Sequence, residues 1–116
     1  MNHKEVEEYL LSMPGAKLDY PFGENTAVYK VDDKMFALVT EKKLPVQISL
    51  KCDPLLAVTL REKYETVMPG YHLNKKHWNT IVLTGQLGWD EIKDLIRHSY
   101  GLVAKTTSGG ANSGEQ

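Results

Sequence analysis

The run Pro69-Gly70-Tyr71-His72-Leu73-Asn74-Lys75-Lys76-His77-Trp78 gathers two lysines, two histidines, a carboxamide and two aromatic rings into one short segment. Lysine and histidine donate to phosphate or carboxylate oxygens, an amide can reach a base edge, and Tyr71 and Trp78 offer ring faces for stacking. That combination suits an anionic, flat-faced partner. The same residues also fit a plainer role, with Trp78 as a core residue opening a strand and the lysines solvating a loop. No catalytic apparatus of comparable density stands elsewhere in the chain.

The other reactive residue types are poorly spaced for catalysis. His72 and His77 are five apart, not the i, i+4 pair that puts two ligands on one helix face. His3 and His98 stand far from them, and no His-Glu-x-x-His pattern occurs. Cys52 is the single cysteine, which rules out an intramolecular disulfide and a cysteine-rich zinc site. It sits just before a helix start, where a dipole lowers a thiol pKa, yet no base partner accompanies it. A small residue packed at a strand end is therefore expected. Gly70 and the Gly85/Gly88 pair build neither a phosphate-cradling loop nor a dinucleotide fingerprint. The reading is a protein that is not an enzyme, with no metal or other cofactor.

The elements that must position these residues follow from periodicity. Val6, Tyr9, Leu10 and Met13 recur at helical spacing behind Glu5, Glu7 and Glu8, and Pro14-Gly15 ends that helix. Residues 26–31 and 35–41 read as a hairpin around Asp32-Asp33-Lys34. Residues 46–51 alternate Val46, Ile48 and Leu50 against Gln47, Ser49 and Lys51, a strand with one buried and one wet face. Asp53-Pro54 starts a second helix reaching about residue 64 and burying Leu56, Leu60 and Tyr64. Residues 78–84 form a fourth strand and 89–105 a last amphipathic helix, with Ile92, Leu95, Ile96, Ser99, Tyr100 and Val103 on one side. The predicted order is α-β-β-β-α-β-α, an α+β domain whose antiparallel sheet is covered by helices on one face. The long connection over residues 66–77 is where function is expected.

With 116 residues, 41% hydrophobic and 25% charged, the chain suits one ordinary domain over 1–105. Residues 106–116, small and polar with three glycines, are expected to be a disordered tail. The net charge of −1 argues against coating nucleic acid by bulk electrostatics. Residues 28–80 nevertheless hold nine Lys or Arg against six acids, a local balance of +3. No signal-peptide pattern and no apolar window of ~20 residues are present, so a cytoplasmic monomer away from membranes is expected.

These residues resemble the MmcQ/YjbR family of small bacterial proteins. The resemblance is carried by Met13-Pro14-Gly15, Phe36-Ala37, Ser49-Leu50-Lys51, and above all by His72-Leu73-Asn74-Lys75 with Trp78 three residues later. It spans roughly residues 3–103. It implies a CyaY-like α+β fold with a "double wing" and a DNA-binding role. Its wings would be the turns around Asp32-Asp33-Lys34 and Glu41-Lys42-Lys43-Leu44-Pro45, with the Asn74-Lys75 loop nearby. The expected nucleic-acid contacts are Lys42, Lys43, His72, Asn74, Lys75, Lys76, His77 and Trp78, binding weakly and with strong salt dependence. The competing expectation is a protein-interaction or chaperone-like adaptor.

Overall fold

The structure, a computed structural model, describes residues 2–41, 43–70 and 73–104. Lys42, Tyr71, His72 and the expected tail over 106–116 lie outside the described residues. Helix α1 (His3–Leu11) opens on a reciprocal cap. Glu5 N–H donates to Asn2 Oδ1 and Asn2 N–H donates to Glu5 Oε1, each at 2.9 Å. The backbone N–H of Asn2 holds the Glu5 carboxyl below its ordinary value.

Strands β1 (Lys17–Asp19), β2 (Thr26–Val31), β3 (Lys34–Thr40) and β4 (Gln47–Lys51) form an antiparallel meander. After helix α2 (Pro54–Lys63) come β5 (Val67–Pro69), β6 (Trp78–Val82) and helix α3 (Trp89–Val103). The sheet order is β1-β2-β3-β4-β6-β5, with every pair antiparallel. The α+β class with helices on one sheet face is as predicted, but the sheet has six strands rather than four. The two additions are both edges of three residues. Lys17-Leu18-Asp19 has a single apolar residue, and Val67-Met68-Pro69 ends on a residue that cannot donate, so neither carries a strand pattern.

One face of the sheet is the core. Ala27, Tyr29, Ala37, Val39, Ile48, Leu50, Val67 and Ile81 pack with Val6 and Leu10 of α1 and with Ile92, Ile96 and Val103 of α3. Helix α2 contributes less than its spacing predicts: Ala57 is its one fully buried residue, and Leu56, Leu60 and Tyr64 are half-buried. The opposite face carries Val28, Leu38, Ser49, Thr80 and Met68 in one cross-strand row, flanked by Lys30, Gln47 and Lys51.

Two local devices fix the register. Asp32 and Asp33 both adopt left-handed backbone, with φ of 53° and 64°. A two-residue hairpin turn of this hand demands that pair, and aspartate tolerates it. In β3, Tyr29 pairs with Ala37 but Lys30 pairs with Met35, so Phe36 is the extra residue of a bulge. The bulge turns Phe36 toward α3, edge-on to Tyr100 at 5.4 Å. Ser99 then stitches helix to sheet, donating to Phe36 O at 2.6 Å while its Oγ accepts Lys51 N–H at 2.9 Å.

Candidate nucleic-acid interface

The described members of the expected contact set do not form one cluster. In register, Gln47 faces Val82 and Lys51 faces Trp78, so the loop ending at Trp78 lies at the Lys51 end of β4. Cys52 N–H donating to His77 O at 2.7 Å fixes it there. Lys43 precedes Gln47 and lies at the other end, with β4 alone advancing roughly 13 Å between them at about 3.3 Å per residue. The Asp32-Asp33 turn shares the loop's end of the sheet. The two wings therefore point from opposite ends, and the loop accompanies only the first.

Among the described residues, most of the conspicuous loop side chains are engaged internally. Asn74 Oδ1 accepts Lys76 N–H at 3.0 Å and Asn74 O accepts His77 N–H at 3.1 Å, so the asparagine builds the turn. Lys75 Nζ donates to Gly70 O at 3.2 Å. Trp78, which the sequence offers either as a stacking face or as a core residue opening a strand, is only 7% exposed. Its ring is committed to packing even though its strand position faces away from the helices. Gly70 pairs beside it, Gly70 N–H donating to Trp78 O at 2.8 Å. A Cβ on Gly70 would lie 2.7 Å from Trp78 Cβ, so only glycine fits. Lys76 remains exposed with a free ammonium among the described residues, and His77 is half-buried.

Arg61, which sequence reasoning missed, closes the loop from below. From α2 its Nε donates to Asn79 Oδ1 at 2.7 Å, and its terminal nitrogen donates to Lys75 O. Buried Asn79 returns an Nδ2 bond to Ala57 O at 3.2 Å. An i, i+4 glance at α2 does not reveal this, because the bonds cross from helix to loop.

A second group of lysines was also missed. Lys17 and Lys30 are direct cross-strand partners on the helix-free face, and Lys51 lies on the same face beside Trp78. Asp19 reaches Lys30 at 3.3 Å. The Tyr20 N–H and that ammonium lower the Asp19 carboxyl. A polar cleft of about 380 Å³ opens beside Lys17 and Lys30, bounded by Gly15, Asp19, Asp32 and Asp33. The alternation of residues 46–51 already assigned Lys51 to the wet face. Lys30 was hidden because β2 shows no clear apolar-polar alternation, with Val28 on the same face as the lysine.

Cys52 is not an activated thiol. It is buried, and burial followed by the Asp53 carboxylate pushes it up to about 11, against a smaller opposing pull from Arg61. His98 Nε2 accepts Asp53 N–H at 3.1 Å, joining α3 to the cap of α2, where Asp53 Oδ2 also accepts Leu55 and Leu56 N–H. Among the described residues no group of three or more His, Cys, Asp or Glu is arranged to hold a metal. No helix among them is long and apolar enough to cross a membrane.

A six-stranded antiparallel sheet with three helices on one face and none on the other defines a class of small α+β domains. A structure from Deinococcus radiodurans with the DUF419 domain is similar, with a TM-score of 0.84 and 35% identity over 90% of this chain and 79% of that one. A crystal structure from Pseudomonas syringae gives a TM-score of 0.76 and 33% identity over 89% of this chain and 99% of that one. The YjbR family model matches residues 11–102, and the chain belongs to the YjbR family. The Escherichia coli (strain K12) protein YjbR, described as uncharacterised, is 37% identical over 100 residues, 86% of this chain and 85% of that protein. The Escherichia coli O157:H7 protein YbdF, described likewise, is 34% identical over 101 residues, covering 87% and 83%.

Proposed function

We propose that this protein is a non-catalytic nucleic-acid-binding module whose contact surface is the Lys51 end of the helix-free sheet face. The observation that carries the reading is the direct pairing of Lys17 with Lys30 on that face. Like charges placed opposite one another across two strands destabilise a sheet; Asp19 offsets part of this by pairing with the Lys30 ammonium at 3.3 Å, and an anionic ligand meets the Lys17 charge that remains. Lys51 extends the cationic row, and Lys76 extends it from the loop. Hydroxyl and amide groups of Thr40, Gln47 and Ser49 occupy the half-buried surface between this row and Lys43. Relative to the residues expected from sequence, Lys76 stays a contact, Asn74, Lys75 and Trp78 become loop framework, and Lys43 lies apart.

Titration of duplex DNA, single-stranded DNA and RNA at low salt, followed by amide chemical shifts, tests this. Shifts are expected at Lys17, Lys30, Lys51 and Lys76. Four phosphate contacts give a log-log salt slope near −3 to −4 on duplex DNA. No perturbation of those amides by any of the three polymers at low salt would falsify the reading. A second reading, a protein-contact module, draws on Leu55 and Val58, which are three residues apart on α2 and 81% and 46% exposed. Exposed apolar pairs of this kind anchor partners. Shifts confined to α2 on adding a partner would favour it.

A further inference from the structure

Resting on the proposed nucleic-acid role, we infer that Arg61 is the positioning residue of the interface: its guanidinium clamps the loop so that Lys76 is presented in one geometry. The inference starts from where the bonds go. Lys75 O faces away from any strand ladder, and the Arg61 terminal nitrogen takes it. The Arg61 Nε meanwhile takes Asn79 Oδ1 at 2.7 Å, and Asn79 is 2% exposed and tied back to Ala57 O. One planar, two-armed donor thus joins α2, β6 and the loop. Lysine carries the same charge but lacks the rigid fork that holds two acceptors in fixed directions.

The segment so held is short. Asn74 closes its turn onto Lys76 N–H and His77 N–H, and His77 O is anchored by Cys52 N–H. Between these anchors Lys75 is held twice, its Nζ at Gly70 O and its carbonyl at Arg61, and only the second bond reaches a helix. Its bond with Arg61 therefore sets the orientation of the turn that carries Lys76. Arg61 is half-buried beneath the loop and its two named bonds are both internal, so it acts through Lys76 and not on phosphate itself.

Charge and positioning are separated by comparing Arg61→Lys with Arg61→Met. If Arg61 positions the loop, both variants bind duplex DNA about tenfold more weakly than the wild type, the cost of ordering roughly one residue on binding. Both also show faster amide exchange at Lys76 and His77 in the free protein, while exchange in β2 and β3 is unchanged. Binding by Arg61→Lys equal to the wild type, with only Arg61→Met weakened, overturns the inference and makes Arg61 a plain charge. Unchanged exchange at Lys76 and His77 in both variants overturns it as well. A wild-type protein that binds no nucleic acid fails at the first titration, before any substitution, and identifies the proposed function as the fault.

Discussion

The loop that ends at Trp78 and the turn between β3 and β4 both present lysines at an end of the sheet, yet they are built in opposite ways. The loop is held at Gly70, Asn74, Lys75 and His77 by hydrogen bonds to backbone, and Arg61 braces it. In the turn, Lys43, Leu44 and Pro45 are all exposed, Leu44 by 87%, and no side-chain bond holds Lys43 among the described residues. Of the two segments, the one with the more distinctive sequence signature is therefore the more constrained among the described residues. A run of mixed polar and aromatic residues can be specific because a turn needs several of them, here Gly70, Asn74 and Trp78, before any ligand is considered.

Substitutions should break this contrast in order of size. Trp78→Ala removes a buried indole and should cost about 3 to 5 kcal/mol, read as a lowered denaturation midpoint; an unchanged midpoint would mean an exposed ring. Gly70→Ala drives a Cβ against Trp78 Cβ and Trp78 O and should cost about 1 to 3 kcal/mol. By contrast Leu44→Ala in the turn should stay within about 0.5 kcal/mol, so equal losses at Gly70 and Leu44 would erase the distinction. On function, Lys76→Ala should reduce the duplex-DNA salt slope by about 0.9, with Lys43→Ala leaving it unchanged. If Lys43 alone moves the slope, the contact surface belongs at the turn.

The smallest effect concerns the cap of α1. The folded-state value of Glu5 is lowered, so its contribution is present above the unfolded carboxylate value and is lost as pH falls through the lowered one. Thermal midpoints of the wild type and Glu5→Gln should differ near neutral pH and converge in acid. A gap that persists in acid would assign the effect to something other than the carboxylate charge.

The three helices and four long strands were legible because their apolar residues recur at 3.6 or 2 and because Asp53-Pro54 and Pro14-Gly15 punctuate them. The predicted and observed boundaries agree to within a few residues, and those of β2 coincide. The edge strands were not legible, since three residues cannot show a period. The bulge at Phe36 was hidden for another reason: it is a matter of partner register, which the sequence of one strand does not contain. The site was legible as a segment and not as a surface. Lys76 could be named from the run itself, but the grouping of Lys17, Lys30 and Lys51 depends on which strands become neighbours. Arg61 depends on how a helix crosses beneath a loop.

Those same short edges have a consequence for behaviour in concentrated solution. A sheet recruits another extended chain through the unpaired N–H and C=O groups along its outermost strands. Here β1 offers three residues bearing Lys17 and Asp19, and β5 offers three ending on Pro69, which has no N–H to give. The apolar central strands, β2 and β3 above all, are thereby shielded on both sides by borders too brief and too charged or proline-blocked to template growth. Resistance to fibril-like stacking is thus built into the perimeter of the fold, independent of whatever the cationic face binds.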